Sequence, residues 1–192
     1  MMNFKDIEAL EMFQVMLVNE PEWETLQDKT QVFNQRITDD VKSRGSHCGD
    51  VAKISETLVR GLSGDDVEAK RAYLLGLIHD LGHIPYGHAG ESVADSMIAE
   101  HDFSQEEIDN ITEIRKLIFG EEYVENLKGT RKNSKYPKNI CFEHNENSVL
   151  RYITLCKEFE YEVDKDIIIC AREKWKPMST QRYARCSRQL CS

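Results

Sequence analysis

Apolar residues recur at intervals of three and four along most of this 192-residue chain, and no segment shows the strict alternation typical of a half-buried β-strand. Leu10, Phe13 and Leu17 mark a first helix, which we expect to end before Asn19. The length suits one domain with its own core. We therefore predict an all-α fold, with one compact helical domain over residues 1–171.

A histidine lies on the apolar face of a second predicted helix. The positions i, i+4, i+7 and i+11 are occupied by His47, Val51, Ile54 and Leu58. This spacing predicts that the four side chains share an inward face. Because a buried imidazole needs a polar partner, His47 is a candidate site residue.

A His-Asp pair closes the next predicted helix. We expect Asp65 or Asp66 to cap its N-terminus and Gly82 to stop it. His79 and Asp80 then lie on its last turn. Neighbouring helix residues point about 100° apart, so both side chains can reach one ion only if the ion lies off the helix end.

The rest of the chain is also predicted to be helical. The turn Ile84-Pro85-Tyr86-Gly87 precedes a helix that begins near His88. Ser104 and Glu107 form a predicted capping box for the helix that follows. Two further helices are expected, over residues 143–159 and from Asp164 onward.

The charge of the chain limits its partners. A net charge of −9 disfavours nucleic acid at long range, so a phosphate ligand would need a local positive site such as a bound cation. Charged residues within the first twenty positions argue against a signal peptide or membrane span. We expect a cytoplasmic protein without a membrane partner, and with reduced cysteines because no Cys-x-x-Cys pair occurs.

Two basic segments stand apart from the predicted helices. Residues 128–138 contain five lysines or arginines and no acid, and we interpret them as a solvated loop. Binding of phosphate or single-stranded nucleic acid is the alternative. Residues 172–192 carry six lysines or arginines against the single acid Glu173, and we expect this tail to be disordered or truncated.

Three residues together favour a metal site. Taken singly, a core histidine or a His-Asp dipeptide is typical of ordinary hydrogen-bonded packing. A divalent cation needs several imidazoles or carboxylates that converge from inward helix faces. The combination of His47, His79 and Asp80 meets that need, and such a site supports hydrolysis of a phosphate ester.

Four segments resemble the deoxynucleoside triphosphate triphosphohydrolases of the HD superfamily, over about residues 26–159. They are Lys29-Thr30-Gln31-Val32-Phe33, Arg44-Gly45-Ser46-His47, the stretch His79–Glu91 and Phe142-Glu143-His144-Asn145. The resemblance implies an all-helical enzyme that uses a divalent metal (Mg, Mn, Co, Fe or Ni). It would cleave a dNTP, with dGTP the expected substrate, into deoxynucleoside and tripolyphosphate. By analogy, it also suggests a homo-oligomer.

The resemblance assigns roles to individual residues. The implied metal ligands are His47, His79 and Asp80, and the implied substrate contacts are Gln31 to deoxyribose and Arg44 and His83 to phosphate. Catalytic roles are implied for His88, Glu91 and His144, with His144 protonating the leaving 5′ oxygen. His88 and Glu91 are three apart on one helix face, so the carboxylate can orient the ring and raise its basicity.

The sequence lacks the aspartate that completes the metal site in this family. Asp164 and Asp166 are the last aspartates, and we interpret them as an N-cap and a first-turn acid of a helix. Two alternatives therefore stay open. One is another HD phosphohydrolase, such as a nucleotidase or phosphodiesterase, and the other is a truncated HD domain that binds nucleotide without turnover.

Overall fold

The computed structural model describes residues 1–28, 42–84, 86–127 and 142–173. Within these ranges the chain forms helices and no strand, which confirms the predicted all-α class. The elements are α1 (Ile7–Val18), α2 (Pro21–Asp28), α3 (Arg44–Ser63), α4 (Asp66–Ile78), α5 (Gly87–Glu100), α6 (Gln105–Phe119), α7 (Glu121–Leu127), α8 (His144–Glu158) and α9 (Lys165–Glu173).

The main core lies between α1, α2, α3, α4, α8 and α9. The three apolar residues that predicted α1 are fully buried in it, and the helix ends at Val18, before Asn19, as expected. The ring of Phe13 packs edge-on against the rings of Phe4, Tyr152 and Tyr161, at centroid distances of 5.1, 5.9 and 5.2 Å. Aromatic pairs favour this edge-to-face geometry, which ties α1 to α8.

The first residues of the chain pair with the segment between α8 and α9. The Met2 amide donates to the Glu160 carbonyl at 2.8 Å, and the Glu162 amide donates to the Met2 carbonyl at 2.7 Å. The Tyr161 hydroxyl donates to the carbonyl of Ala9 at 3.1 Å. These bonds fix the residues before α1 to the connection that leads from α8 to α9.

α3 and α4 approach each other most closely at a glycine. A Cβ added to Gly76 would lie only 2.4 Å from Cα of Ala52. Such a distance is far below van der Waals contact, so no larger residue fits unless the helices move apart. This contact holds the beginning of α3 beside the end of α4, where the candidate ligands lie.

The predicted inward face of α3 is wrong for two of its four residues. Ile54 and Leu58 are 60% and 57% exposed. The buried residues of the helix are Gly45, Cys48 and Ala52. Because the two helices are so close, small residues occupy the contact and the larger apolar side chains are left on the surface.

Local capping signals fix the helix starts. The carboxylate of Asp65 accepts hydrogen bonds from the amides of Val67 and Glu68 at 2.8 and 3.1 Å, as predicted for the cap of α4. Both hydrogen bonds of the Ser104–Glu107 capping box are formed. α5, α8 and α9 also begin near the predicted positions, whereas α2 and α7 were not predicted.

Some predictions fall outside the part of the chain that the structure describes. These concern Gln31, the basic segment 128–138 and the tail after residue 173. They stay predictions, as does the domain boundary at residue 171. Among the described helices, none combines the length and the apolar character needed to cross a membrane.

Candidate metal centre and active site

The first cluster consists of His47, near the start of α3, and His79 and Asp80, in the turn after α4. The predicted stop at Gly82 is late by one turn, since α4 ends at Ile78. One ligand atom from each member of the cluster lies within 4.8 Å of the other two. The two imidazole rings lie 5.5 Å apart between centroids. The structure thus brings the three predicted ligands together off the end of α4.

The backbone of α4 orients the His79 ring. Nδ1 of His79 lies 2.7 Å from the carbonyl oxygen of Gly76, one helical turn earlier. Because a carbonyl accepts a hydrogen bond only from a protonated nitrogen, Nδ1 carries a proton, and in the neutral ring Nε2 keeps its lone pair. Nε2 lies 3.3 Å from Oδ1 of Asp80. Two lone-pair donors at this distance fit a cation between them.

Asp80 is a buried carboxylate in its charged form, with 7% of the residue exposed. Burial acts to raise its pKa, but the hydrogen bond from His83 and the nearby His79 and Arg44 hold the pKa well below its usual range. Nη1 of Arg44 donates to Oδ2 at 3.3 Å. Arg44 thus contacts Oδ2, while the other carboxylate oxygen, Oδ1, lies near the imidazoles of His79 and His83.

The second cluster consists of His83, Glu91 and His144. Oε1 of Glu91 lies 3.2 Å from Nδ1 of His83 and 2.9 Å from Nδ1 of His144. The two imidazole rings are stacked, 3.9 Å apart with an interplanar angle of 15°. One carboxylate oxygen from α5 therefore orients a ring from the turn after α4 and a ring from α8.

His83 joins the two clusters. Its Nδ1 faces Glu91, and its Nε2 lies 3.4 Å from Oδ1 of Asp80. The residue is only 7% exposed. A continuous chain of polar contacts consequently runs from the candidate metal ligands to His144.

The turn after α4 is fastened to the first turns of α8 through Gly82. The Gly82 amide donates to Oγ of Ser148 at 2.8 Å, and Nδ2 of Asn147 donates to the Gly82 carbonyl at 2.8 Å. Oγ of Ser148 also lies 3.0 Å from the carbonyl oxygens of His79 and His144. A Cβ at Gly82 would lie 2.2 to 2.6 Å from backbone atoms of α8, so this contact requires glycine.

A buried ion pair supports α8 from the opposite side. Nε and Nη2 of Arg115 on α6 lie 2.8 and 2.7 Å from Oε2 of Glu146. Both residues are at least nine-tenths buried. Just before the helix, the Phe142 amide donates to Oδ1 of Asp95 on α5 at 2.9 Å. The start of α8, which carries His144, is therefore held by two neighbouring helices.

The structure describes the surroundings of His88 and of a fourth metal ligand only in part. His88 lies on the first turn of α5, but its side chain is outside the described part, so its predicted pairing with Glu91 stays a prediction. Among the described residues, no fourth ligand joins the first cluster. Asp164 is elsewhere: its carboxylate accepts from the Asp166 amide at 2.9 Å and pairs with Arg71 at 3.0 Å. This agrees with its interpretation as a helix cap.

Sequence reasoning missed the contacts that hold the site together. The bonds from Gly82 to Asn147 and Ser148 cross 65 and 66 positions of the chain, and no short-range pattern links them. No short-range pattern indicated the stacking of His83 on His144 either. The one sequence feature that could have pointed to Ser148 as part of the site is its position one turn after His144, on the same face of the predicted helix.

The fold and the two clusters define a helical domain with a candidate His/Asp metal centre at helix ends. The HD domain model matches residues 44–186, and the chain belongs to this family. The predicted resemblance to HD-superfamily proteins is confirmed.

Several curated relatives share part of the sequence. Proteins named deoxyguanosinetriphosphate triphosphohydrolase-like are 37% identical over 87 residues in Thiobacillus denitrificans and 41% identical over 76 residues in Bradyrhizobium sp.. These matches cover 44% and 40% of this chain, but 22% and 19% of the relatives. The matched region thus spans about a fifth of the length of these proteins.

Proposed function

We propose that this chain is a metal-dependent phosphohydrolase that cleaves deoxynucleoside triphosphates, with dGTP the expected substrate, into deoxynucleoside and tripolyphosphate. The observation that supports this most is the adjacency of the two clusters, joined by the 3.4 Å contact between His83 and Asp80. One cluster suits a divalent cation and the other suits proton transfer. The names of the relatives point to the same substrate class.

The first cluster would hold the cation. His47, His79 and Asp80 offer two imidazoles and one carboxylate, a donor set that suits first-row divalent metals. When bound, a metal there polarises a phosphate oxygen and lowers the pKa of a coordinated water. The Gly76 carbonyl keeps the His79 ring in the tautomer that leaves Nε2 available.

Arg44 and His83 would bind the phosphates. Both flank Asp80, so a phosphate near the cation would also lie near a guanidinium and an imidazole. A guanidinium can donate two parallel hydrogen bonds to phosphate oxygens. This local positive charge offsets the net charge of −9, which would otherwise repel the substrate.

Glu91, His144 and His88 would carry the proton chemistry. The 2.9 Å contact with Glu91 holds Nδ1 of His144, which leaves Nε2 of that ring for a proton transfer to the leaving 5′ oxygen. We assign His88 to the same step through its position on the first turn of α5.

Product analysis tests this function. The purified protein is incubated with each dNTP and added magnesium, manganese or cobalt, and nucleosides and polyphosphates are resolved by ion exchange. Deoxynucleoside with tripolyphosphate is expected, together with loss of at least about a hundredfold in rate for His79→Ala and His88→Ala. His101→Ala is the matched control, because this exposed histidine belongs to neither cluster.

Two other products would change the proposal. Orthophosphate, or hydrolysis of a cyclic nucleotide, would identify a different HD phosphohydrolase. Nucleotide binding without any product would identify a binding domain, an alternative supported by the three-membered first cluster in the described part of the chain. A cluster with one carboxylate fewer binds a hard cation less tightly.

A further inference from the structure

Gly82 has both of its backbone polar groups bonded to two adjacent residues of α8. Its amide donates to Ser148 Oγ and its carbonyl accepts from Asn147 Nδ2, each at 2.8 Å. Ser148 is 3% exposed, so loss of its hydroxyl would leave the Gly82 amide without this acceptor in a buried environment. The contact is short because Gly82 has no side chain.

The Ser148 hydroxyl lies between the two clusters. Its oxygen is 3.0 Å from the carbonyl of His79 in the first cluster and 3.0 Å from the carbonyl of His144 in the second. The single hydroxyl proton can serve one carbonyl at a time, while the oxygen accepts from Gly82. One small side chain therefore contacts the backbone of a residue from each cluster.

We propose that Ser148 and Asn147 are positioning residues that set the distance between the first cluster and His144. Neither belongs to a cluster, and both act through the backbone of Gly82. The proposal builds on the proposed function, in which a group bound at the first cluster reacts with a proton from His144. Reacting groups must be held close to their productive separation, and a displacement of about 1 Å lowers rates by roughly a hundredfold.

Removal of the hydroxyl is the first test. Ser148→Ala is expected to lower kcat by about ten- to a hundredfold while KM changes less than about threefold, because the ligands themselves are intact. Thr154→Ala is the matched control, since it removes a hydroxyl that donates to the Leu150 carbonyl on the same helix, away from the site. Equal effects of the two substitutions would overturn the proposal.

Asn147→Asp is the second variant, in case Ser148→Ala fails to fold. The aspartate has the shape of asparagine but cannot donate to the Gly82 carbonyl. A fall in kcat of about tenfold or more is expected, again with little change in KM. An unchanged kcat in this variant would remove Asn147 from the proposal.

A double substitution separates positioning from general stability. If Ser148 acts by setting the distance between the first cluster and His144, its loss should matter little once the His144 imidazole is gone. Adding Ser148→Ala to His144→Ala should then lower the rate by less than about twofold. If the two effects multiply, Ser148 has a merely structural role and the proposal is overturned.

A measurement without substrate distinguishes this proposal from the proposed function. Hydrogen exchange of the Gly82 amide should be at least about tenfold faster in Ser148→Ala than in the wild type or Thr154→Ala. If the wild type hydrolyses no nucleotide, the proposed function fails and the exchange result alone decides whether Ser148 joins the turn to α8. Unchanged exchange would overturn the proposal even in an active enzyme.

Discussion

The carbonyl oxygen of Gly76 lies 2.7 Å from Nδ1 of His79, and the same glycine is the point where α4 touches Ala52 of α3. One residue thus sets both the tautomer of a candidate ligand and the separation of the helices that carry His47 and His79. Helix packing and ligand orientation are coupled at this position.

Gly76→Ala should weaken both stability and metal binding. The added methyl would overlap the backbone of Ala52, and such overpacking costs about 1–3 kcal/mol. As α3 moves away, His47 is displaced from His79 and the affinity for manganese should fall. Urea unfolding and calorimetric titration with Mn²⁺ measure the two effects.

Gly49→Ala is the control for this substitution. A Cβ at Gly49, on the same helix as Ala52, meets no atom within 4 Å. Alanine in a helix interior is favoured over glycine by about 0.5–1 kcal/mol, so this variant should be as stable as the wild type or more stable. Equal destabilisation by both substitutions would contradict the close packing at Gly76.

Arg115→Met should destabilise the protein by about 3–5 kcal/mol, because it leaves the buried carboxylate of Glu146 without its partner. Arg60→Met is the comparison: Arg60 pairs with Glu56 and Asp66 at the surface, where ion pairs contribute little to stability. Chemical denaturation measures the free energy of unfolding of both variants.

A double variant that carries Arg115→Met and Glu146→Leu should recover much of the stability lost in Arg115→Met. Failure to recover it would show that the Arg115–Glu146 pair contributes more than charge compensation.

Glu107→Gln should alter the pH dependence of stability. Hydrogen bonds from the backbone and hydroxyl of Ser104 hold the pKa of the Glu107 carboxyl below its ordinary value of 4.5. A carboxyl whose pKa is lowered on folding stabilises the protein above its unfolded pKa and loses that effect as pH falls. Glutamine keeps the capping geometry but does not titrate. In urea unfolding, the advantage of the wild type should therefore stay constant from about pH 7 to about pH 5 and shrink as the pH falls below about 4.5; a constant difference down to about pH 3 would exclude this linkage.

Cys156 should resist alkylation in the folded protein. Burial raises the pKa of its thiol from 9.0 to about 12, so the thiolate is roughly a thousandfold scarcer at a given pH than for an ordinary cysteine. Cys170 on α9 is partly exposed and provides the internal comparison. Peptide mapping after iodoacetamide treatment should show Cys170 modified first and Cys156 modified only after unfolding. Equal labelling of the two under native conditions would contradict the burial of Cys156.

Local patterns predicted the described helices except α2 and α7, and they indicated the three residues that form the first cluster. Leu10, Phe13 and Leu17 are buried as their spacing indicates, and the caps at Asp65 and Ser104 depend only on nearby residues. Such features are encoded within a few turns of chain. His79 and Asp80 were likewise predicted near the end of this helix, but α4 ends one turn earlier than expected, so the two residues lie in the turn after it and not on its last turn.

Features that depend on two distant segments were not predictable. Periodicity treats every apolar residue alike, so it could not show that Ala52 faces α4 while Ile54 and Leu58 face solvent. That choice follows from the close approach at Gly76. The bonds from Gly82 to α8 and the contact of Glu91 with two imidazoles likewise arise only when the whole domain has folded.

The pairing of Met2 with Tyr161 has a consequence for synthesis of this protein on the ribosome. Phe4 and Phe13 are synthesised about 150 positions before the aromatic residues they pack against, Tyr152 and Tyr161. Non-local contacts of this kind cannot form until both segments are available. A nascent chain that has not yet reached residue 161 therefore lacks the tyrosines that cover the rings of Phe4 and Phe13, and this is the stage at which chaperone binding or aggregation would compete with folding.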